Sequence, residues 1–377
     1  MAPARSTDRF RIAAIDFAPV DLEVTDEFVI SQGRITRVEN AFVRVRLQSG
    51  AVGYGEIAPF TDLTGETRTV SLAAARRLAS DLTGRGASDW RRHSRIMAEL
   101  EPAQPAARCG LETALLDAFC RELDVPLWTL LGGANPNPVL TDITLPILSV
   151  GRTLELARHW HRAGFRTFKT KVGIDLDMDL KRICEVARVF PDVLFIVDAN
   201  GGFSPGEAIG FARELSRVGV PVALFEQPVD RLDLEGSAEV RAQTKFPVAA
   251  DESVISGADA QRVIAAEAAD VINIKIMKSG VVEAMAIADV ARSAGLKLMI
   301  GGMMETRLAM GCSLACVFGL GGFDFVDLDT PLLLETDPVR GGFGYNGPEM
   351  SVWQEPGLGM TPRADSTIDR WDGLNAC

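Results

Sequence analysis

Apolar and polar positions follow two rhythms along this chain. Between residues 136 and 344, short β-branched runs recur at residues 139–146, 167–172, 193–199, 223–227, 247–250, 271–276, 297–301 and 323–328. Such runs, bounded by turn residues, read as buried strands. The stretches between them have helical periodicity. Over residues 177–190, Leu180, Ile183, Cys184, Val186, Ala187 and Phe190 recur with charges between them, the pattern of an amphipathic helix. Ser204, Pro205 and Glu207 read as an N-cap, a proline at the first helical position and an acid in the first turn, and Gly219 ends that helix.

The spacing of the runs predicts the architecture. Thr144, Lys171, Asp198, Glu226, Asp251, Lys275, Gly301 and Asp327 each lie near the end of one run, at steps of 27, 27, 28, 25, 24, 26 and 26 residues. A strand, a helix and two short loops need about that length, and strands alternating with helices imply a parallel sheet. Eight even units predict an α/β fold, a closed (β/α)₈ barrel. A doubly wound sheet would alternate too, but no Gly-x-Gly-x-x-Gly follows the first strand.

Residues 1–135 have a different texture. Residues 10–17, 39–47 and 51–54 read as antiparallel strands with a turn at Gln48-Ser49-Gly50, and residues 69–81, 90–99 and 107–123 as helices. Gly132, Gly133, Pro136 and Pro138 mark a boundary. The expected organisation is an α+β capping domain over 1–135, a barrel over 136–344, and a tail over about 345–377 that returns to the cap.

Composition narrows the class. The length suits a barrel plus a second domain, and 47% hydrophobic with 24% charged residues is ordinary for a folded globular chain. The net charge is −12 with basic residues scattered, which argues against nucleic acid as a partner. The six cysteines, Cys109, Cys120, Cys184, Cys312, Cys316 and Cys377, contain no Cys-x-x-Cys and read as reduced thiols. Residues 1–17 are interrupted by arginines and Asp8, with no apolar signal region, and no run is long enough to span a bilayer. The expectation is a cytoplasmic protein with no membrane partner. His93, His159 and His161 lie off the strand ends, so a histidine zinc site and a Ser-His-Asp mechanism are poor readings.

The chemistry is concentrated at the strand ends. Leu194-Phe195-Ile196-Val197 finishes in Asp198, Ala223-Leu224-Phe225 in Glu226, and Val248-Ala249-Ala250 in Asp251. In a barrel all strand C-termini face one mouth, so the three acids converge. One such acid could cap a helix or pair with a lysine. Three on consecutive strands repel unless a cation neutralises them, and oxygen-only ligands favour a hard ion such as Mg²⁺. Lys169 and Lys171 share one face of the second strand, and Lys275 ends the sixth. A lysine base near pH 7 lies about three units below its reference value, roughly 4 kcal/mol. Two ammonium groups about 7 Å apart repel by roughly 2.5 kcal/mol at an effective dielectric of about 20, so Lys169 is expected to provide over half the shift Lys171 needs. Strands two and six face each other across an eight-stranded barrel. Lys171 and Lys275 therefore suit proton removal from one face of a carbon and return to the other.

These motifs resemble the muconate-lactonising-enzyme subgroup of the enolase superfamily over nearly the whole chain. The resemblance rests on Lys169-Thr170-Lys171, Asp198-Ala199-Asn200, Glu226-Gln227-Pro228, Asp251-Glu252-Ser253, Asn273-Ile274-Lys275 and, in the cap, Gly53-Tyr54-Gly55-Glu56. It implies one Mg²⁺ per subunit on Asp198, Glu226 and Asp251, acid/base catalysis by Lys171 and Lys275, and supporting roles for Asn200, Glu252 and Asn273. A lysine base working with Mg²⁺ on an enediolate is a well-established pattern of this superfamily as a whole. Asp327-Leu328-Asp329 is similar to the Asp-x-Asp of dipeptide epimerases, which holds a substrate ammonium, with Lys169 as a further substrate-binding residue. The implied activity is epimerisation at the C-terminal residue of a dipeptide. A muconate-type cycloisomerase, an N-acylamino acid racemase and a non-catalytic metal-binding homologue stand as alternatives. In Ala-Glu epimerases an arginine of the capping loop reads the glutamate. Here Arg34 and Arg37 are the specificity candidates, while Gly33 falls at the comparable position. Family habit implies a homo-oligomer.

Overall fold

The apolar runs of the second half fold as parallel strands because helices between them cover their outer faces. The computed structural model describes residues 7–31, 33–133, 136–363 and 371–373. Gln32, Cys377 and the expected boundary at 135 lie outside them.

In the cap, β1 (Ile12–Ile30), β2 (Gly33–Leu47) and β3 (Val52–Ile57) form an antiparallel sheet, joined at its other edge by Asp372–Gly373 of the tail. Helices α1 (Arg68–Leu82), α2 (Trp90–Leu100) and α3 (Pro105–Leu123) pack beside it. The β1–β2 hairpin is far longer than expected. Its outer half mixes charged and apolar positions, which reads as loop, but cross-strand pairing continues to Ile30 and Gly33 past an irregularity between Glu23 and Phe28. That length carries the hairpin tip to the barrel. Ser31 Oγ donates to the Ala199 carbonyl at 2.9 Å, and the Ile147 N–H to the Val29 carbonyl at 2.9 Å.

The barrel strands are β4 (Ile143–Leu145), β5 (Thr167–Lys171), β6 (Leu194–Asp198), β7 (Val222–Glu226), β8 (Val248–Ala250), β9 (Val271–Ile274), β10 (Lys297–Ile300) and β11 (Phe325–Val326), hydrogen-bonded in that order. The seam between β11 and β4 is joined by the Asp142 N–H, which donates to the Val326 carbonyl at 3.1 Å. Ile196, Leu224, Ala249, Val271 and Met299 plug the barrel, with Phe325 packed against them. Register does the rest. Lys171 pairs with Asp198 and Asp198 with Glu226, so three ionisable groups stand level at the strand ends. The Ser204 cap forms as expected: Glu207 N–H donates to Ser204 Oγ, and Ser204 N–H to Glu207 Oε2 at 2.8 Å. Behind the barrel, the tail contacts α3 through the Leu358 N–H, which donates to Asp117 Oδ1 at 2.6 Å.

The Gly53-Tyr54-Gly55-Glu56 motif has a physical cause. A Cβ on Gly53 would overlap Ala118 N and Ala114 O of α3, and one on Gly55 would overlap Gly110 O. Strand and helix backbones touch, so only hydrogen fits. Glu56 is then buried where its carboxylate accepts from Asn40 Nδ2 and from the hydroxyl and N–H of Thr306, tying cap to barrel. Gly55→Ala should destabilise the fold by about 1–3 kcal/mol. Denaturant unfolding checks this, and a wild-type midpoint would contradict the packing argument.

Candidate active site

A buried charge cluster fills the barrel mouth. Asp198, Glu226 and Asp251 have no exposed surface, and Lys169, Lys171, Lys275 and Lys278 are buried among them. Lys171 Nζ donates to Asp198 Oδ2 at 2.6 Å. Lys169 Nζ reaches the same oxygen at 3.1 Å, Glu226 Oε1 at 3.0 Å and Asp327 Oδ2 at 2.7 Å. Across the barrel, Lys275 Nζ lies 2.7 Å from Asp251 Oδ2, and Lys278 Nζ donates to Asp251 Oδ1 at 2.6 Å. Around them, Asn273 Nδ2 donates to Glu226 Oε1 at 2.8 Å and Asn200 Nδ2 to Glu252 Oε1 at 2.9 Å.

The loops after the strands are held in unusual backbone. Asn200 and Gln227 both have positive φ, at 44° and 38°, a region costly for ordinary side chains. Gln227 contributes in return: its Oε1 accepts from the N–H of Asp251 at 2.9 Å and of Ser253 at 3.2 Å, fixing the Asp251 turn.

The acids carry more negative charge than the lysines relieve. Burial, then repulsion from Asp198, pushes the Glu226 carboxyl up to about 8, and burial with Asp251 pushes Glu252 up to about 7. Burial works against ionisation of Asp198 too, but Lys171, Lys169 and Lys275 outweigh it and bring it down to about 2. Burial would likewise lower the Lys275 ammonium, yet Asp251 outweighs it and the group is held protonated. Lys169 and Lys171, expected to act on each other by repulsion, sit among carboxylates. Each is tied to acids, and both reach one oxygen of Asp198.

The donor set fits a hard divalent cation. Glu226 Oε2 and Asp251 Oδ2 are buried beside ammonium groups but without hydrogen-bond geometry. Buried carboxylate oxygens with spare acceptor capacity and excess negative charge suit a hard ion such as Mg²⁺. Among the described residues, the trio of acids whose oxygens lie within 4.8 Å of one another is Asp142, Asp327 and Asp329, at the barrel seam; Asp198, Glu226 and Asp251 do not gather that closely.

The cavity above this cluster has a polar floor and an apolar roof. Thr144, Lys169, Lys171, Lys275, Asn200, Glu252, Asp327 and Thr330 line the floor. Phe28 and Ile30 of the hairpin, Phe60 and Leu63 of the following cap loop, and Met303 and Met304 of the loop after β10 line the roof. Asp329 lies behind Asp327, where its Oδ2 accepts from the Thr144 N–H at 2.5 Å. Arg34 and Arg37 are elsewhere. Both are exposed on β2, paired with Glu27 at 2.8 Å and Asp21 at 2.9 Å, and line no part of this cavity.

Sequence reasoning passed over several of these groups. Lys278 lies on the short helical turn Ile276–Ser279, where a lysine within an apolar run was the available signal. The roof residues come from the cap and had no signal beyond being apolar. Glu305, buried with its carboxyl raised by burial to about 8, sits behind the Met303 N–H that it accepts. Cys109, Cys120, Cys184, Cys312 and Cys316 are free thiols. His93 is buried on α2 against the Gly86 carbonyl, and His161 pairs with Asp192, both far in sequence from the strand ends. No helix of the described residues is long and apolar enough to cross a membrane.

Comparison with known proteins gives the kinship. Residues 15–132 match the mandelate racemase / muconate lactonizing enzyme N-terminal domain, and residues 152–366 the enolase C-terminal domain-like family. An L-Ala-D/L-amino acid epimerase of Populus trichocarpa is 43% identical over 87% of this chain and 79% of its own. An aromatic dipeptide epimerase of Herpetosiphon aurantiacus is 39% identical over 93% of this chain and 98% of its own. A dipeptide epimerase of Enterococcus faecalis, solved with Mg and L-Leu-L-Tyr, superposes with a TM-score of 0.89 at 31% identity, covering 93% of this chain and 99% of that one. The chain belongs to the mandelate racemase / muconate lactonizing enzyme family of the enolase superfamily, and with it to the racemase and epimerase class of isomerases.

Two substitutions separate surface from site. Arg37→Ala should shift unfolding stability by no more than about 1 kcal/mol, since exposed pairs contribute little. Lys278→Met removes a buried partner of Asp251 and should cost on the order of 3 kcal/mol. Thermal unfolding of the two variants side by side checks the contrast.

Proposed function

We propose that this protein is a Mg²⁺-dependent dipeptide epimerase that inverts the α-carbon of the C-terminal residue. The observation that carries the reading is the placing of Lys171 and Lys275. They end strands four apart in an eight-stranded ring, and both ammonium groups border one cavity. A carbon held between them can lose a proton to one lysine and regain it on the opposite face from the other. Asp198, Glu226 and Asp251 would hold Mg²⁺, which when bound supplies positive charge for a substrate carboxylate and makes the adjacent C–H more acidic.

The chain's own groups set up the rest. With the acids engaged elsewhere, Lys171 and Lys275 lose the partners that hold them in ion pairs, and so become available for proton transfer. Asp327 borders the cavity, so a cationic amino group fits better than the neutral amide of an N-acylamino acid or the carbon skeleton of a muconate. Named relatives point the same way, being dipeptide and L-Ala-D/L-amino acid epimerases.

The roof sets the side chain accepted. Phe28, Ile30, Phe60, Leu63, Met303 and Met304 offer an apolar surface, while Arg34 and Arg37 line a separate groove on the other side of Phe60 and Met304 and are already paired with Glu27 and Asp21. An apolar C-terminal side chain is therefore favoured over glutamate. Burying such a side chain stabilises a complex by about 1.5–3 kcal/mol, or roughly 10- to 100-fold in affinity.

The test is a library of L,L-dipeptides incubated with protein and Mg²⁺ in D₂O, followed by mass. One deuteron should enter dipeptides with apolar C-terminal residues, with kcat/KM at least about tenfold above that for L-Ala-L-Glu. Lys171→Ala and Lys275→Ala should each abolish epimerisation, as should chelation. Arg34→Ala and Arg37→Ala should leave KM unchanged. Absence of uptake in every dipeptide, with Mg²⁺ bound, sinks the proposal. Preference for L-Ala-L-Glu would sink the reading of the roof alone.

A further inference from the structure

The seam of the barrel holds three acids whose oxygens approach within 4.8 Å of one another. They are supported unequally. Asp327 accepts from Lys169 Nζ at 2.7 Å, and Asp329 from the Thr144 N–H at 2.5 Å. Asp142 is 2% exposed, and neither of its oxygens meets an N–H or hydroxyl donor. One of its oxygens lies within 4.8 Å of an oxygen of Asp327 and of Asp329. Lys169 is the cation on this side, and it already serves Asp198, Glu226 and Asp327. Tyr345 stands beyond Asp329, its hydroxyl donating to the Leu328 carbonyl at 2.5 Å.

Strand register sets the surroundings of Asp142. Ile143 pairs with Phe168 and Thr144 with Lys169. Thr144 and Lys169 face the cavity, and Asp142, two residues before Thr144 and just ahead of the strand, lies beside Asp327 and Asp329. The site is buried from water. A carboxylate without a donor is costly there, and beside two other acids more so. Two touching carboxyls satisfy each other when one keeps its proton, as in any shared-proton acid pair. Burial, then Asp327 and Asp329, pushes Asp142 well above the usual carboxylate range. Burial opposes ionisation of Asp327 too, but Lys169 holds that group below its ordinary value. Burial, then Asp327, pushes Asp329 up as well, to about 7. Asp329 accepts from the Thr144 N–H, however, while Asp142 has no N–H or hydroxyl donor. The charge therefore sits on Asp327, and Asp142 is the acid that gains by keeping a proton.

We propose that Asp142 is a positioning residue, a protonated acid that donates to Asp327 and fixes the carboxylate facing a substrate ammonium. This rests on the dipeptide reading above. The role requires a neutral donor at position 142 and does not require charge. An asparagine amide can replace it, while an alanine leaves the Asp327 carboxylate free to turn and lean on Lys169 alone.

Two readouts test it on the Mg²⁺-loaded protein. The infrared difference spectrum of wild type minus Asp142→Asn at pH 7 should contain the carbonyl band of a protonated carboxylic acid, shifted in D₂O. With L-Ala-L-Phe as probe, Asp142→Asn should keep KM within about threefold, while Asp142→Ala should raise it about tenfold or more with kcat changed much less. Normal turnover by wild type without the band overturns this proposal alone. Equal impairment of the two variants overturns it too, because charge or volume would then be what matters, and so does an unimpaired Asp142→Ala. If no dipeptide is turned over, the epimerase reading and the ammonium role fall together, whatever the spectrum shows.

Discussion

Everything at the barrel mouth depends on how Lys169 divides its one positive charge. It is 1% exposed and touches Asp198, Glu226 and Asp327. In a medium of low effective dielectric, acids this close cannot all ionise against so few cations. The surplus shows as protons retained on Glu226 and Glu252, whose carboxyls lie near 8 and 7. A strand interior built only for stability would avoid this arrangement, because apolar residues of the same volume are as stabilising or more so. The cost is tolerated where a cation and a charged substrate complete the balance.

Much of this was legible in the sequence because a barrel turns linear spacing into geometry. Strand-end residues at near-constant intervals must converge, and Lys171, Asp198 and Glu226 do so as register neighbours. The capping box at Ser204 was legible for the same kind of reason: it is local, with donor and acceptor three residues apart. Gly53 and Gly55 were visible as a motif, but their cause was not. Nothing in the sequence says that β3 and α3 meet backbone to backbone.

What escaped sequence reading depends on long-range placement. The outer half of the β1–β2 hairpin carries Asp21, Glu23, Asp26 and Glu27 among apolar positions, so its alternation is blurred. It is a strand because β2 pairs with it and the barrel supports its tip. Arg34 and Arg37 drew attention as loop cations, yet on an extended hairpin they are neighbours of that same acidic strand and are satisfied there. Asp142 fell inside the strand run at residues 139–146 and carried no signal of its own. Its isolation among acids is a property of the seam, where the first and last barrel strands meet from nearly two hundred residues apart.

The two parts of the chain divide the chemistry. The barrel contributes ionisable groups from rigid strand ends, where position is set by hydrogen-bonded register. The cap contributes Phe28, Ile30, Phe60 and Leu63, on a hairpin end and a following segment held to the barrel by bonds such as Ser31 to Ala199, Ile147 to Val29, Thr25 to Leu333 and Arg231 to Leu63. Changing a charged strand end disturbs a balance shared by many groups, so each change is felt across the cluster. A roof side chain packs in the apolar core and carries no charge, so exchanging one apolar roof residue for another leaves the charge balance of the floor unchanged. Proton-transfer chemistry is thereby insulated from side-chain recognition. The same physics explains why the roof is apolar here: with the floor already overcharged, a recognition group that added another buried ion would have no partner to balance it.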